Sequence, residues 1–168
     1  VGGVGGSYGN METNSLLACL IHEEIVARHR RMPPRVTFLG SFNVLYRRDV
    51  LAQVGGFDER FLKAQDAELS WRVIDAGHEL AFEPRSRVAH FHPIRWIPYL
   101  RTQRQQGYWR MQLYRQHAKR AGGDSYSGLI DHVQPPLSVM MLALTPLLLF
   151  DRWRGVPLFL LGLLLLLQ

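Results

Sequence analysis

Two carboxylates stand close together in the stretch LKAQDAELSWRV, which runs from Leu62 to Val73. Asp66 and Glu68 lie at the start of its apolar pattern. A carboxylate that is fixed in direction can take a proton from a reacting group, and general base catalysis of this kind contributes about 10²–10⁴-fold to a rate. The stretch therefore supports two compatible interpretations, a capped helix and a helix whose first turn carries a general base.

The spacing of apolar residues predicts the element that positions Asp66. Leu69 and Val73 are four residues apart, and Gly77 stands where a left-handed residue commonly ends a helix. We predict a helix over about residues 67–76. Asp66 then falls at the N-cap, where its side chain accepts a backbone N–H and the helix dipole favours its negative charge.

The rest of the first 92 residues alternates between strand and helix patterns, which predicts a layered α/β domain. A glycine-rich opening is followed by an amphipathic helix that ends before Pro33, because the residue before a proline disfavours helical backbone. A short helix in RRDVLAQV ends at Gly55. The strand candidates are VTFLG (36–40), FNVLYRR (42–48), HELAF (78–82) and RVAHFH (87–92), the last two separated by Glu83 and Pro84.

The C-terminal end of the chain is almost wholly apolar. Leu137–Phe150 and Val156–Leu167 are apolar runs joined by the polar hinge DRWRG. Each is shorter than the roughly 18–20 residues of an unambiguous membrane span, but the first extends back to Val133 and the chain end cuts off the second. We predict a membrane hairpin over 133–168 with a truncated second helix; the alternative is a buried helical hairpin in a soluble core.

A basic and aromatic segment precedes this hairpin. Between Arg85 and Arg120 there are nine Lys or Arg residues and no Asp or Glu, in a chain of net charge +6. We predict that residues 94–132 rest on anionic headgroups, each cation near the surface contributing on the order of 1 kcal/mol. Nucleic acid is the less favoured partner, because no nucleic-acid motif accompanies the stripe. The positive charge places this side of the membrane in the cytoplasm, and a single cysteine, Cys19, suits a reducing compartment.

Four motifs occur in order: GSFNVLYRR, VGGFDE, AQDAELSWR and EPRSRVAHFH. Each alone has an ordinary structural explanation, such as a glycine turn or a hydrogen-bonded histidine. Together they closely resemble the C-terminal half of the catalytic domain of glycosyltransferase family 2, whose members have the GT-A fold. The resemblance covers about residues 36–92 and implies that residues 1–93 form a partial GT-A domain. The opening VGGVGG contains no signal peptide, so the sequence looks like a fragment.

The resemblance gives Asp66 a chemical role. It matches the aspartate that, in inverting members, takes the proton from an acceptor hydroxyl as this hydroxyl attacks the anomeric carbon of a nucleotide sugar. Glu68 matches a frequently acidic position and is expected to support Asp66. Gln65 stands where the family usually has Glu, a departure that leaves the base in place and removes a neighbouring charge.

The resemblance also implies residues that bind the donor and the acceptor. The GGF loop matches the segment that shapes the acceptor side, and Asn43 and Arg47 match the segment beneath the donor. Gln106, Trp109 and Arg110 resemble the QxxRW motif of processive synthases only in part, with the last two residues reversed. The full predicted binding set is Asn43, Arg47, Gly55, Gly56, Phe57, Asp58, Gln65, Glu68 and Arg72.

A divalent cation, Mg²⁺ or Mn²⁺, is expected at the leaving diphosphate, because carboxylates and phosphate oxygens bind such ions. The resemblance places His90 or His92 near a metal-contacting histidine of some GT-A enzymes. The family's Asp-x-Asp motif occurs nowhere in this sequence and is expected upstream of Val1.

The sequence therefore predicts an inverting glycosyltransferase at the cytoplasmic face of the cell membrane, acting in envelope polysaccharide or glycolipid synthesis. Its expected partners are a nucleotide sugar, a sugar or lipid-linked acceptor and membrane lipids, and not nucleic acid. This chain alone is expected to be incomplete and inactive. The alternative is a non-catalytic membrane-associated binding module, or a degenerate fragment, of the same fold.

Overall fold

The computed structural model describes residues 1–166, apart from the side chain of Leu129. The chain forms two compact units, residues 1–126 and the residues from Ser127 onward. The predicted boundaries after residues 93 and 132 stay predictions.

The first unit is a mixed α/β fold, and the α/β class predicted from the sequence is confirmed. Its sheet has four strands in the order β2-β4-β1-β3, in which β1 pairs parallel with β4 and antiparallel with β3, and β2 pairs antiparallel with β4. The elements in chain order are β1 Gly3–Asn10, α1 Leu16–Arg31, β2 Arg35–Val36, β3 Val44–Tyr46, α2 Arg48–Val54, α3 Gln65–Asp75, β4 Leu80–His90 and α4 Trp96–Gln116.

The glycine-rich opening forms β1, an inner strand of this sheet. A Cβ at Gly3 would lie 2.5 Å from Cδ1 of Tyr46, and a Cβ at Gly6 would meet the carbonyl of Ser86. Neighbouring elements therefore approach the β1 backbone so closely that side chains are excluded there. Close backbone approach is a common reason for glycine within a strand.

Helix α3 is the buried centre of the unit. Leu69 and Val73 pack into one apolar cluster with residues of α2 and β4, while Ala67 and Trp71 pack into a second cluster with Leu113 of α4. All five of these side chains are fully buried. Because α3 is held on two sides, the direction of the side chains in its first turn is fixed as well.

Two strand predictions were wrong in their bounds. VTFLG contributes only Val36 to β2, and the residues after it continue without regular structure. HELAF and RVAHFH form one strand, β4, and the predicted break at Glu83 and Pro84 is a bulge, since Gly6 pairs with Glu83 and Ser7 already pairs with Arg87. The bulge is closed by Ser7, whose hydroxyl donates to the carbonyl of Pro84 at 2.7 Å.

The second unit is helical and apolar. It contains α5 Leu129–Leu144, a 3₁₀ turn over Thr145–Leu149 and α6 Gly155–Leu166. The stretch Ile130–Leu149 is long and apolar enough, by length and composition, to cross a membrane, and α6 is a shorter apolar helix. Pro135 and Pro136 lie inside α5, where they remove two backbone donors.

Candidate functional site

The turn that presents Asp66 is strained. Ala64, the N-cap of α3, adopts a left-handed conformation with φ 61° and ψ 13°, although it is not glycine and its side chain is buried. This conformation costs an L-residue about 1–2 kcal/mol. Asp66 is therefore the second residue of the helix, and the prediction that it forms the N-cap was wrong.

The carboxylate of Asp66 is held by backbone donors and is partly shielded from water. Its Oδ1 accepts the N–H of Ala67 at 2.9 Å, and the N–H of Ser41 also bonds to it. Burial raises the pKa of Asp66 above its ordinary value, and the backbone hydrogen bonds and the nearby charge of Arg110 oppose that rise without cancelling it. A carboxylate with a raised pKa is a stronger base than one in water, and it remains fixed in direction.

The charge of Asp66 contributes to the raised pKa values of two tyrosines, Tyr8 and Tyr46. Burial and then the Asp66 charge raise the pKa of Tyr8 to about 12. Burial also raises the pKa of Tyr46, and the Asp66 charge adds to this effect against a hydrogen bond from Ser70 that lowers it. Both phenols therefore stay protonated at neutral pH.

Ser70 ties the first turn of α3 to its surroundings. Its hydroxyl donates to the backbone carbonyl of Asp66 at 2.7 Å, accepts the N–H of Leu39 at 3.1 Å and lies 3.2 Å from the hydroxyl of Tyr46. The side chain is fully buried. These contacts fix the backbone at Asp66 relative to β3 and the segment after β2.

Helix α4 supplies the positive charge near Asp66. Arg110 donates to Asp124 Oδ2 at 2.9 Å, and the Asp124 side chain is fully buried. Leu113 of the same helix lies in the core of the first unit beside Trp109 and Tyr114. The second half of α4 is thus part of the fold, so the predicted headgroup contact of this segment concerns its first half, where Trp96 and Ile97 are exposed.

Glu68 and Arg72 form a buried ion pair that holds the glycine loop. Two guanidinium nitrogens of Arg72 donate to the two carboxylate oxygens of Glu68, each at 2.6 Å. Arg72 also donates to the carbonyl of Gly56 at 2.7 Å and to the carbonyl of Val54. Nε2 of His117 lies 3.8 Å from the Glu68 carboxylate. In this structure the two residues position the loop; their predicted role in ligand binding stays a prediction.

The loop itself lines a concavity of about 460 Å³. Gly55 and Gly56 have φ of 78° and 69°, a left-handed backbone conformation that residues other than glycine rarely adopt. Phe57 is exposed, and Asp58 pairs with Arg60 at 2.7 Å. The hydrogen bond from Arg60 is the main reason that the pKa of Asp58 falls to about 2. The other lining residues are Glu68, Arg72, Gln116 and His117.

The remaining predicted binding residues, Asn43, Arg47 and Gln65, make contacts that do not involve the Asp66 side chain. The Asn43 amide donates to the carbonyls of Ser7 and Ser86 at 3.0 and 2.9 Å, which clamps the bulge of β4. Arg47 is exposed and pairs with Asp49. Gln65 is the half-buried first residue of α3.

The two predicted metal-contacting histidines belong to an aromatic cluster. Nε2 of His92 lies 3.4 Å from Nδ1 of His22, and the rings of His90 and His92 are 4.9 Å apart. Burial lowers the pKa of both His90 and His92, so their neutral forms are favoured. Within residues 1–166, however, no group of three or more His, Cys, Asp or Glu side chains is placed to hold a metal ion. Because Mg²⁺ prefers oxygen ligands, these histidines do not form a site for it on their own.

Sequence reasoning missed four contributors to the Asp66 surroundings: Tyr8, Tyr46, Ser70 and Arg110. Tyr46 lies inside the quoted motif GSFNVLYRR, and Arg110 lies in the partly matched WR pair, so both carried a signal that was not assigned a role. Ser70 lies in the stretch AQDAELSWR, four residues after Asp66 and thus on the same helix face. Tyr8 carried no such signal, because only the sheet brings it to this site.

Comparison with known proteins gives a partial match. The chain is 40% identical over 57 residues to proteins named pre-mycofactocin glycosyltransferase from two strains of Mycobacterium tuberculosis. It is 33% identical over 58 residues to a protein named O-antigen chain rhamnosyltransferase WbaN from Salmonella anatum. Each match covers 34% of this chain, but only 12% of the mycobacterial proteins and 18% of the rhamnosyltransferase. No family model matches the chain, and no solved structure matches it.

Proposed function

We propose that this chain is part of an inverting glycosyltransferase of family 2 with a GT-A fold, in which Asp66 is the general base. The observation that carries the proposal is the Asp66 carboxylate, which is half-buried, held by backbone N–H groups and raised in pKa. The partial identity to proteins named glycosyltransferases supports the same reaction class.

The proposed step is a single displacement. The acceptor oxygen attacks the anomeric carbon as its proton passes to Asp66, and the bond from that carbon to the nucleoside diphosphate breaks on the opposite face. The electron pair of that bond leaves with the diphosphate. Arg110, held by Asp124, balances the charge of Asp66 before the transfer, and the tyrosines at the site keep their own protons.

A divalent cation, Mg²⁺ or Mn²⁺, belongs to the proposal because it would neutralise the charge of the leaving diphosphate. The described residues do not supply a ligand set for it, and the proton transfer at Asp66 does not pass through it. His90 and His92 are proposed to contact the metal only together with ligands that the described residues do not supply.

The proposed place of the reaction is the cytoplasmic face of the cell membrane, in envelope polysaccharide or glycolipid synthesis. The apolar stretch Ile130–Leu149 supports membrane association, as does the exposed start of α4, where Trp96, Ile97 and Leu100 lie between Arg95 and Arg101. Nucleotide sugar, a sugar or lipid-linked acceptor and membrane lipids are the proposed partners.

A non-catalytic binding module of the same fold is the second candidate. Gln65 favours it, because an uncharged residue stands where the resembling family usually has Glu. Assays of the full-length protein with UDP-, GDP- and dTDP-sugars distinguish the two candidates. We expect acceptor-dependent release of nucleoside diphosphate and an inverted anomeric centre in the product; donor binding without release under any condition would favour the module.

A further inference from the structure

A second and larger concavity, of about 630 Å³, lies between α1 and the bulge of β4. No predicted catalytic, binding or metal residue lines it. Its volume is within the roughly 300–1,000 Å³ that is usual for small-molecule sites. We refer to it as the α1–β4 pocket.

The interior of the α1–β4 pocket is apolar and aromatic. Val26 and Met32 line it from the α1 side, and the buried rings of Tyr8 and Phe82 line it from the sheet. The ring of His29 packs against both of these aromatic rings, at 5.0 Å from Tyr8 and 5.1 Å from Phe82. Such a lining favours a ligand with an apolar or aromatic body.

Two arginines at the pocket have no ion-pair or hydrogen-bond partner in the described part of the chain. Arg30 and Arg87 both line the pocket, and both are exposed. In contrast, the arginines two positions earlier are in ion pairs, Arg28 with Glu24 and Arg85 with Glu83. Glu23 is the one acidic residue among the lining residues, so the pocket carries a net positive charge.

We propose that the α1–β4 pocket binds an organic anion in which an apolar or aromatic body carries a phosphate or carboxylate group. The body fills the space between Val26 and Phe82, and the anionic group meets the guanidinium groups of Arg30 and Arg87. Guanidinium groups match both anions, because their N–H donors can bond two oxygens of the same group.

The pocket shares Tyr8 with the surroundings of Asp66. Tyr8 lines the pocket, and the charge of Asp66 contributes to the raised pKa of the same side chain. Tyr8 therefore connects the pocket with the surroundings of the proposed base, and the binding itself does not rest on the proposed function.

Equilibrium dialysis of the full chain in a non-ionic detergent tests the binding. The probes are 1-naphthyl phosphate, 1-naphthoate, 1-naphthol and inorganic phosphate. We expect the two naphthyl anions to bind at least about tenfold more tightly than 1-naphthol or phosphate, because only they combine both groups that the pocket recognises. The phosphate and the carboxylate arms show which anion is preferred.

Variants locate the probe. Arg30→Gln and Arg87→Gln each remove a charge from the pocket, and each should weaken the naphthyl anions about fivefold to tenfold, as expected for one charge-assisted hydrogen bond. Arg31→Gln is the matched control: it changes an exposed arginine on the same helix that does not line the pocket, and binding should not change.

Equal binding of 1-naphthol and 1-naphthyl phosphate, equal loss in the Arg31→Gln control, or tight binding of inorganic phosphate alone would overturn the proposal. The proposed function is tested separately by Asp66→Asn, which should leave naphthyl phosphate binding intact. If the pocket variants lose binding while Asp66→Asn retains sugar transfer in the full-length enzyme, the pocket stands and the role of Asp66 falls.

Discussion

Removing the charge of Glu68 should destabilise the first unit without touching the proposed base. The Glu68 side chain is 3% exposed and its partner Arg72 is 25% exposed, so both charges depend on each other. Breaking a buried pair by removing one partner costs about 3–5 kcal/mol. Arg72 keeps some water and its bonds to the carbonyls of Val54 and Gly56, so we expect Glu68→Gln to lower the free energy of unfolding by about 2–3 kcal/mol.

A double-mutant cycle separates the pair from its surroundings. Arg72→Gln should be at least as destabilising as Glu68→Gln, because it also leaves two backbone carbonyls without their donor. The double variant should be more stable than the sum of the two effects predicts, by at least about 1 kcal/mol, since the residues share one interaction. Arg60→Gln is the control: it breaks the ion pair between the exposed Arg60 and Asp58 and should change the free energy of unfolding by less than about 1 kcal/mol.

Urea unfolding of the full chain, followed by tryptophan fluorescence, measures these values, because Trp71 lies in the buried core between α3 and α4. The comparison requires similar slopes with urea for all variants. Additive effects, or a Glu68→Gln variant as stable as the Arg60→Gln control, would refute the argument that this pair holds the glycine loop.

Three further predictions follow from the same contacts. Burial raises the folded-state pKa of Asp66, so the stability that the protonated Asp66 contributes is complete below the ordinary aspartate pKa and is lost as pH rises through the folded-state pKa. Asp66→Asn does not titrate, so its urea midpoint should rise relative to that of the original chain toward neutral pH. A relative fall would contradict the sign of the pKa shift. In sedimentation with anionic liposomes, the full chain should bind, and a chain ending near Gln134, which keeps the basic segment but lacks most of the apolar stretch, should bind more weakly; a full chain that stays in solution would exclude the membrane proposal. Calorimetric titration of the 168-residue chain with UDP-, GDP- or dTDP-sugars and Mn²⁺ should show no tight binding, because it has no Asp-x-Asp; tight, metal-dependent binding would show that the donor site has been misplaced.

Helices α1, α2 and α3 of the first unit could be predicted from periodicity and from their end signals, whereas α4 was expected only as a basic interfacial segment. The helix ending before Pro33, the one stopped at Gly55 and the buried α3 all occur close to the predicted residues. Each has a local signal, such as a proline, a glycine or an apolar residue every three or four positions, and local signals are what a sequence shows directly.

The start of α3 could not be predicted in the same way. The left-handed backbone of Ala64 has no composition signal, because glycine or asparagine is the usual residue there. The surrounding packing of Phe61, Ala67 and Trp71 overrides this preference. The helix therefore begins two residues earlier than predicted, and this moves Asp66 from the cap into the first turn.

The bulge of β4 shows a similar limit. Proline normally interrupts a strand, so Glu83 and Pro84 predicted a break. In the structure the extra residues are accommodated because Asn43 and Ser7, distant in sequence, bond to the carbonyls that the bulge exposes. Only tertiary contacts decide between a break and a bulge.

The sequence indicated only part of the surroundings of Asp66, and the catalytic role of Asp66 itself stays a prediction. Asp66 follows from motif and spacing, and Glu68 and Arg72 are visible as an i, i+4 pair. The sequence did not show that Glu68 and Arg72 hold the glycine loop. It also did not show that Tyr8 and Arg110, which are far apart in sequence, both lie near Asp66, because long-range packing determines both arrangements.

Turnover of the Asp66→Asn variant of the full-length protein tests the central claim most directly. The amide keeps an oxygen for the N–H of Ala67 but cannot take a proton, so donor binding should persist while turnover falls by at least about a hundredfold. Glu59→Gln, an exposed acidic residue of the preceding loop, is the control and should retain turnover. Near-normal turnover in Asp66→Asn, with the control unchanged, would contradict the assignment of Asp66 as the general base.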